Sequence, residues 1–172
     1  ITVSRLKNSI EIKGTEGSPL SGIEIKNIGF LHNERSFMDT KEPLLRSDWT
    51  IYRGGVISME NTRNIKVTDC QFTDVGGNAI MLSGYNKNNT ISGNHISGAG
   101  ASGIAFVGET DAVRSPSFRY EDYVPYGRLD KTPGPKSNRY PQQCIAENNL
   151  IHDIGYETTM AQADQIQKAL LS

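Results

Sequence analysis

Apolar and polar residues alternate along short stretches of this chain, and each stretch ends in a cluster of Gly, Asn or Asp. The segment "NIKVTDCQF", residues 64–72, shows the alternation with a break at Asp69. Three further apolar runs, "GGVISMEN", "GNAIMLSG" and "SGIAFVG", have a similar length. Short apolar runs bounded by turn residues are typical of β-strands. The pattern therefore predicts an all-β chain.

The alternating pattern recurs as a repeat. "NIKVTDCQFTDVGG" at 64–77 is followed by "NNTISGNHISGAG" at 88–100 and "QQCIAENNLIHDIG" at 142–155, and is preceded by "GIEIKNIGFLHN" at 22–33. The large apolar anchors of the four copies are Phe30, Phe72, Ile96 and Ile151. They are separated by 42 (72 − 30), 24 (96 − 72) and 55 (151 − 96) residues, so the longer intervals read as one unit of 24 plus an insertion.

A unit of about 20–25 residues built from short strands cannot bury its own apolar face, whereas stacked copies bury it together. We therefore predict a right-handed parallel β-helix of about five coils. A leucine-rich repeat has a similar period but requires a leucine-dominated consensus that this chain does not contain. A β-sandwich would not keep a constant 24-residue phase.

The alignment predicts which side chains stack inside the coils. One inward column consists of the four anchors, and the other of Ile28, Cys70, Asn94 and Asn149. Stacked asparagines in such a column are expected to form a hydrogen-bonded ladder. Cys70 and Cys144 fall in different columns about one coil apart, too far for a disulfide. Both cysteines are predicted to be small core residues.

Two insertions, about 33–53 and about 109–142, interrupt the repeat, and function in such scaffolds usually lies on long loops. They contain the only Trp, Trp49, and five of the seven tyrosines. Aromatic rings beside Arg, Asp and Asn match the apolar faces and hydroxyl groups of sugars. The insertions therefore indicate a carbohydrate surface, although such rings also serve simply to pin long loops onto a scaffold.

Glycoside hydrolysis needs two carboxyl groups about 5 to 9.5 Å apart. Asp39 and Asp48 are the candidate catalytic acids because both lie in the first insertion. The candidate substrate-binding residues are Arg46, Trp49, Tyr52, Arg53, Tyr85 and Asn86. A salt bridge between Arg46 and Asp48 that closes the loop is an equal alternative for that pair. Further carboxylates in the two insertions are Glu42, Asp111, Glu121, Asp122 and Asp130.

The remaining polar residues indicate structural roles. Asp74 and Asp153 occupy equivalent turn positions, where Asp usually caps the local backbone. His95 and His152 fall on the outward phase of their strands and are expected to be surface residues. The spacing of Cys and His does not match a zinc site, and no phosphate-binding or dinucleotide-binding motif occurs, so no metal site is predicted.

The net charge of −1 argues against nucleic acid or an anionic membrane as a partner, and no apolar run is long enough for a membrane span. The first residues, "ITVSRLKNSIEIKG", have no signal-peptide pattern. The repeat already begins near residue 10, which favours a piece of a longer chain.

The motifs "FMDTKEPLLRSDWTIYRGG", "GGNAIMLSGYN", "AVRSPSFRY" and "KTPGPKSNRYP" resemble the β-helix proteins of glycoside hydrolase family 141, in the pectin-lyase-like superfamily. The resemblance covers about residues 8–155. It implies a secreted or periplasmic bacterial enzyme with two acidic catalytic residues and no required cofactor. The family includes α-L-fucosidases and xylanases of plant cell-wall polysaccharide. Its members are longer, which implies further coils as the neighbours of this segment.

After the repeat, which we assign to residues 1–155, the segment 156–172 reads as a short amphipathic helix. Thr159 and Gln162 match a capping box, and apolar residues recur at helical spacing. Two interpretations of this segment are equal: a helix that covers the open edge of the last coil, or a foreign or frame-shifted tail.

The expected function is hydrolysis of a glycosidic bond in fucosylated pectin or xylan by acid/base carboxylate chemistry. A non-catalytic carbohydrate-binding or structural β-helix is the alternative. A Ca²⁺-dependent polysaccharide lyase is a lesser one, because the sequence shows no dense acidic cluster on a coil face.

Overall fold

The computed structural model describes residues 4–36, 39, 42–43, 50–117 and 121–155. Within them the chain winds through four coils, where the spacing predicted about five. The first coil contains β1 (Ile10–Lys13), β2 (Leu20–Ser21), β3 (Glu24–Lys26) and β4 (Gly29–Leu31). Two strands that pair antiparallel follow, β5 (Glu42–Pro43) and β6 (Thr50–Ile51).

The other three coils repeat this course. The second contains β7 (Ile57–Arg63), β8 (Lys66–Thr68) and β9 (Gln71–Thr73), and the third β10 (Ile80–Lys87), β11 (Thr90–Ser92) and β12 (His95–Ser97). The fourth contains β13 (Ile104–Val107), β14 (Pro141–Gln142), β15 (Ile145–Glu147) and β16 (Leu150–His152). Two 3₁₀ turns, Thr110–Ala112 and Tyr126–Arg128, lie between β13 and β14. The predicted C-terminal helix at 156–172 lies outside the described residues.

Three parallel sheets run along the stack of coils. Sheet 1 has the order β1-β7-β10-β13, with β2 on β7 and β14 on β10; sheet 2 is β3-β8-β11-β15 and sheet 3 is β4-β9-β12-β16. In sheet 3 the four predicted anchors stand level, as Phe30↔Phe72, Ile96↔Phe72 and Ile96↔Ile151. The predicted parallel β-helix and its register are confirmed.

Each corner between the short strands is made by a single residue with a left-handed backbone. In the second coil these residues are Asn64, Asp69 and Asp74, spaced by five (69 − 64 and 74 − 69) with φ of 51°, 54° and 48°. The equivalent corners of the other coils are Gly22, Asn27 and His32; Asn88, Gly93 and Gly98; and Gln143, Asn148 and Asp153. Gly, Asn and Asp adopt this conformation most readily, which explains the repeated polar punctuation.

A left-handed corner also explains the break in alternation at Asp69. The side chains of Ile65 and Val67 point inward before the corner, and Cys70 and Phe72 point inward after it. Each five-residue unit therefore reads corner, in, out, in, out. The corner resets the two-residue period, so the apolar spacing across it is three instead of two.

The interior is packed most completely in the two central coils. Phe72 and Ile96 have 0% exposure, and the rings of Phe30 and Phe72 stack with centroids 4.9 Å apart. Ile28 and Ile151 hold inward positions in the end coils but are 42% and 37% exposed. Burying one such side chain stabilises the fold by about 1.5–3 kcal/mol, so the central coils carry most of that contribution.

The predicted asparagine ladder is confirmed. Asn94 accepts a hydrogen bond from the Cys70 backbone N–H at 3.0 Å, and its Nδ2 donates to Asn149 Oδ1 at 2.9 Å and to the Val67 carbonyl at 3.0 Å. Both cysteines are free thiols, as expected. Cys144 is half-buried, and this burial raises the pKa of its thiol.

Both insertions leave the coils beside sheet 1. The first begins after the His32 corner, where the chain passes from sheet 3 towards sheet 1. The second, 108–140, separates β13 from β14 at the level where the third coil has a bulge between Ser83 and Asn86. The outward face of sheet 1 is therefore bordered by the two irregular segments.

Candidate functional site

The outward face of sheet 1 is polar and partly covered. Lys13, Glu60, Ser83 and Val107 stand level on successive strands, as do Glu11, Ser58, Met81 and Ala105. Met81 points away from the core yet has 0% exposure. A Cβ placed on Gly55 would lie 3.4 Å from the Met81 Cβ, so the end of the first insertion packs on this face.

Arg53 is the residue that joins the two insertions over this face. Its Nη2 donates to Glu42 Oε1 at 2.6 Å and to the Gly108 carbonyl at 2.8 Å, and its Nη1 donates to Ser83 Oγ at 2.8 Å. Nη1 also lies 3.6 Å from Glu109 Oε1. We call Arg53, Glu42, Glu109 and Ser83 the Arg53 cluster. It takes one carboxylate from each insertion.

The electrostatics of the cluster keep Arg53 charged. Burial lowers the pKa of Arg53, but hydrogen bonding to Glu42 and the charges of Glu109, Glu42 and Glu60 outweigh it and raise that pKa. The side chains of Arg53, Glu42 and Glu109 are 20%, 35% and 27% exposed. Among the described residues, the buried Nε of Arg53 has no hydrogen-bond partner.

Glu60 extends the charged surface to the first coil. Its carboxylate forms an ion pair with Lys13 at 2.8 Å, and this hydrogen bond raises the pKa of Lys13. The face of sheet 1 thus alternates acidic and basic groups from β1 towards the two insertions. Such a surface offers both hydrogen-bond acceptors and donors to a polyhydroxylated ligand.

Glu109 owes its position to the bulge in β10 and to the start of the second insertion. Gly84 adopts a φ of 64°, and a Cβ there would lie 3.0 Å from Glu109 Oε1. The Glu109 backbone N–H donates to the Arg139 carbonyl at 2.8 Å, and its own carbonyl accepts from Ala112 at 3.0 Å. Glycine at the bulge leaves room for the carboxylate.

The contacts with Arg53 set an upper bound on the distance between the two carboxylates of the cluster. Both contact the terminal nitrogens of one guanidinium group, at 2.6 Å for Glu42 and 3.6 Å for Glu109. Their nearest oxygens are therefore closer than the upper limit of about 9.5 Å known for glycosidase carboxyl pairs.

The predicted catalytic residues have different outcomes. Asp39 forms an ion pair with Lys7 at 2.8 Å, and hydrogen bonding to Asp39 raises the pKa of Lys7. Among the described residues, Asp39 Oδ2 has no hydrogen-bond partner. Asp48 lies outside the described residues, as do Arg46 and Trp49 of the predicted substrate contacts. The assignment of Asp39 and Asp48 as catalytic acids stays a prediction.

Of the other predicted contacts, Arg53 lies at the centre of the cluster and Tyr52 precedes it. A Cβ on Gly54 would lie 2.5 Å from the Tyr52 ring, so the ring packs directly over that glycine. Tyr85 is half-buried in the bulge. Asn86 points inward with 0% exposure, accepts from Thr62 Oγ1 at 2.6 Å and donates to the Ser83 carbonyl at 2.9 Å. A direct contact between Asn86 and a substrate would require the coil to open.

Sequence reasoning did not select Glu60 or Glu109. Glu60 could have been found from its outward phase in "GGVISMEN", opposite the inward Met59. Glu109 is the first residue after "SGIAFVG", so it was treated only as the boundary of the second insertion. The local sequence around Glu109 does not indicate that this residue contacts the first insertion, because the contact forms only when the chain folds.

A second polar feature is a groove of about 660 Å³ along the corner that follows sheet 3. Its lining includes His32, Asp74, Gly98 and Asp153, all of them left-handed corner residues. This supports the structural interpretation of Asp74 and Asp153. The two aspartates lie two coils apart, about 9.6 Å along the stack, just beyond the range of about 5 to 9.5 Å for glycosidase carboxyl pairs.

The described residues contain no group of three or more His, Cys, Asp and Glu side chains that could hold a metal ion. Nor does this part of the chain contain a helix long and apolar enough to cross a membrane.

Residues 2–118 match the family described as "Right handed beta helix region". The chain belongs to this right-handed β-helix family. The matched region contains the first three coils, β13 and the entire Arg53 cluster, and the family fixes the hand of the coil as predicted. The match does not distinguish glycoside hydrolase family 141 within the β-helix proteins. Neither a curated relative nor a solved structure matches the chain.

Proposed function

We propose that this right-handed β-helix is glycoside hydrolase-like and acts on plant cell-wall polysaccharide at the outward face of sheet 1. The observation that carries the proposal is the Arg53 cluster, in which one guanidinium group holds a carboxylate from each insertion. The coils do not require such a group, because they are stabilised by side chains that recur at equivalent positions of successive coils. Residues that meet only once, from two long loops, are typical of a functional site.

The three charged residues of the cluster each have a role in the proposed hydrolysis. One carboxyl group must give a proton to the glycosidic oxygen as its bond to the sugar carbon breaks, and another must activate water or attack that carbon. Glu109, held loosely at 3.6 Å, is assigned the proton transfer. Glu42, hydrogen-bonded at 2.6 Å, is assigned the second role. Arg53 positions both and offers its exposed edge to sugar hydroxyls.

The substrate class rests on the aromatic residues and on the resemblance to family 141. Tyr123 and Tyr126 of the second insertion are 77% and 74% exposed, and Lys131 already lies over the Tyr126 ring at 3.9 Å. Such rings stack on sugars. Fucosylated pectin and xylan follow from the resemblance, as do a secreted or periplasmic location, catalysis without a cofactor and further coils next to this segment.

A non-catalytic carbohydrate-binding or structural role is the second candidate. It is favoured by one observation, that the acidic groups on this face already have cationic partners: Arg53 for Glu42 and Glu109, and Lys13 for Glu60. A binding surface keeps its charges paired, whereas catalysis requires the substrate to compete for them.

The test is product release from fucosylated pectin and from xylan, with and without EDTA. We expect saturated sugars in both conditions, with release lowered at least 100-fold in Glu109→Gln and Glu42→Gln. Asp74→Asn, in the corner groove, is the matched control and should retain activity. Asp39→Asn distinguishes this assignment from the sequence-based one. The variant should keep full activity if Glu42 and Glu109 are catalytic, and should lose activity if Asp39 is.

Three results would contradict the proposal. Full activity of both Gln variants would move the reaction away from the Arg53 cluster. Unsaturated products that disappear with EDTA would identify a lyase. Glycan binding by a folded sample without any product would favour the binding module.

A further inference from the structure

Two histidines meet on the outward face of sheet 3, away from the Arg53 cluster. His95 of β12 and His152 of β16 both point outward, as the sequence predicted, and are diagonal neighbours, because His95 is level with Leu150 and His152 with Ser97. Their Nε2 atoms lie 2.9 Å apart, with ring centroids separated by 5.1 Å and planes tilted by 33°. The His152 side chain is 45% exposed, so solvent and small ions reach the pair.

Asp153 fixes the orientation of one ring. Its Oδ2 lies 2.7 Å from His152 Nδ1. The hydrogen-bond network assigns the Nδ1 proton to His152, which leaves its Nε2 lone pair facing His95. In proteins a carboxylate behind a histidine in this way is typical of metal-binding imidazoles, because it fixes the tautomer and increases ligand basicity.

We propose that His95 and His152 form a binding site for a divalent first-row transition-metal ion, with Cu²⁺ bound most tightly. Two imidazole nitrogens at roughly 2.0–2.1 Å from one metal are about 2.9 Å apart when they occupy neighbouring corners of a square, and about 3.4 Å apart in a tetrahedron. The observed 2.9 Å equals the spacing in the square arrangement that Cu²⁺ and Ni²⁺ prefer. The 5.1 Å between the ring centroids shows that the free rings face each other nearly head-on, so both rings must rotate towards a shared metal position. Zn²⁺ requires the rings to move apart by about 0.5 Å.

Metal binding replaces the contact between the two rings. In the free pair the proton between the rings belongs to His95 Nε2, since His152 Nε2 is the acceptor. When the metal binds, His95 carries its proton on Nδ1 instead, so a neutral pair loses no net proton. The protein supplies two ligands and water fills the remaining positions, which agrees with the absence of a three-ligand group among the described residues.

Calorimetric titration of the tag-free protein with CuCl₂, NiCl₂ and ZnCl₂ tests this site. We expect one equivalent of Cu²⁺, bound more tightly than Ni²⁺ or Zn²⁺. His95→Gln and His152→Gln should each weaken Cu²⁺ binding at least tenfold. Asp153→Asn, which tolerates the left-handed corner, should weaken it by roughly tenfold through loss of ring orientation. His32→Asn is the control and should bind like the parent.

Two further readouts keep the test decisive. Electron paramagnetic resonance of the parent protein with Cu²⁺ should show coupling to two imidazole nitrogens, a result that needs no variant to fold. Cu²⁺ should raise the melting temperature of the parent protein and leave that of His95→Gln unchanged, because the ion binds the folded pair. No binding, one coordinated nitrogen, or unchanged affinity in both Gln variants would overturn the site and leave a hydrogen-bonded histidine pair.

Discussion

The asparagine ladder inside the coils and the Arg53 cluster outside them are both buried or half-buried polar networks, but they are built differently. In the ladder, Asn94 bonds to backbone and amide groups of the coils on either side, and its two bonds to backbone groups recur at Asn149. In the cluster, Arg53 bonds to Glu42, Ser83 and Gly108, which are 11, 30 and 55 positions away in the sequence. This set of contacts has no equivalent among the described residues of the other coils. The asparagine ladder connects successive coils, and the Arg53 cluster connects the two insertions.

The difference separates structural polar groups from functional candidates without any sequence alignment. A polar group that recurs at equivalent positions of successive coils, as Asn94 and Asn149 do, satisfies a need of the coils themselves. One that brings together two insertions satisfies a need of the site alone. This distinction can be tested by substitutions that remove one network while the stability of the coils and the protection of the insertions are measured.

The largest effect is expected for Asn94→Ala. The substitution leaves the Cys70 N–H and the Val67 carbonyl without their buried partner, at a cost of roughly 3 kcal/mol in the free energy of unfolding. Chemical denaturation measures it. Ser92→Ala, on the outward side of the same coil, is the control and should stay within about 0.5 kcal/mol. A small loss for Asn94→Ala would show that the ladder does not stabilise the coils.

A smaller effect is expected for Arg53→Ala. It removes hydrogen bonds to Glu42, Ser83 and Gly108 and releases both insertions, at a cost of about 2 kcal/mol for charged, partly exposed contacts. Limited proteolysis should cut the insertions faster while the coils remain intact. Arg139→Ala, which breaks an exposed pair with Asp111, should change the cleavage rate little. Cleavage within the coils would contradict this separation of scaffold and site.

The smallest effect is a local response of the second insertion to acid. Hydrogen bonds from Thr132, and then from Arg114, lower the pKa of Asp130 from 3.8 to about 2. A lowered pKa means that the contribution to stability is present above about pH 4 and is lost as the pH falls towards 2. Amide exchange in residues 121–140, corrected for intrinsic rates, should rise between pH 4 and pH 2 while the sheets stay protected.

Asp130→Asn at pH 5 is the matched variant for this response. It should imitate the acid effect, because it removes the charge that Arg114 contacts at 2.6 Å. Equal protection of the insertion at pH 5 and pH 2 in the parent protein would rule out the role of Asp130.

The sequence predicted the coil well because the coil is periodic. The spacing alone aligns Phe72 with Ile96, and the two residues pair in sheet 3. The site was harder because it depends on how far two insertions reach across one face. Tyr85 and Asn86 were assigned together to substrate contact, yet neighbouring residues of a strand face opposite sides. Arg53 was found through its motif, whereas Glu109 required the fold.

Because each corner between the short strands is a single residue, the number of residues between successive corners of a coil is fixed at four. This limits the insertions and deletions that such a chain can tolerate during evolution. An added or deleted residue within a five-residue unit would invert the side chains between that point and the next corner, so such length changes are expected to be selected against. The bulge level of sheet 1 and the passage from sheet 3 to sheet 1 escape this constraint. New loops, and with them new functional residues, can be inserted at those two positions while the cross-section of the coil stays unchanged.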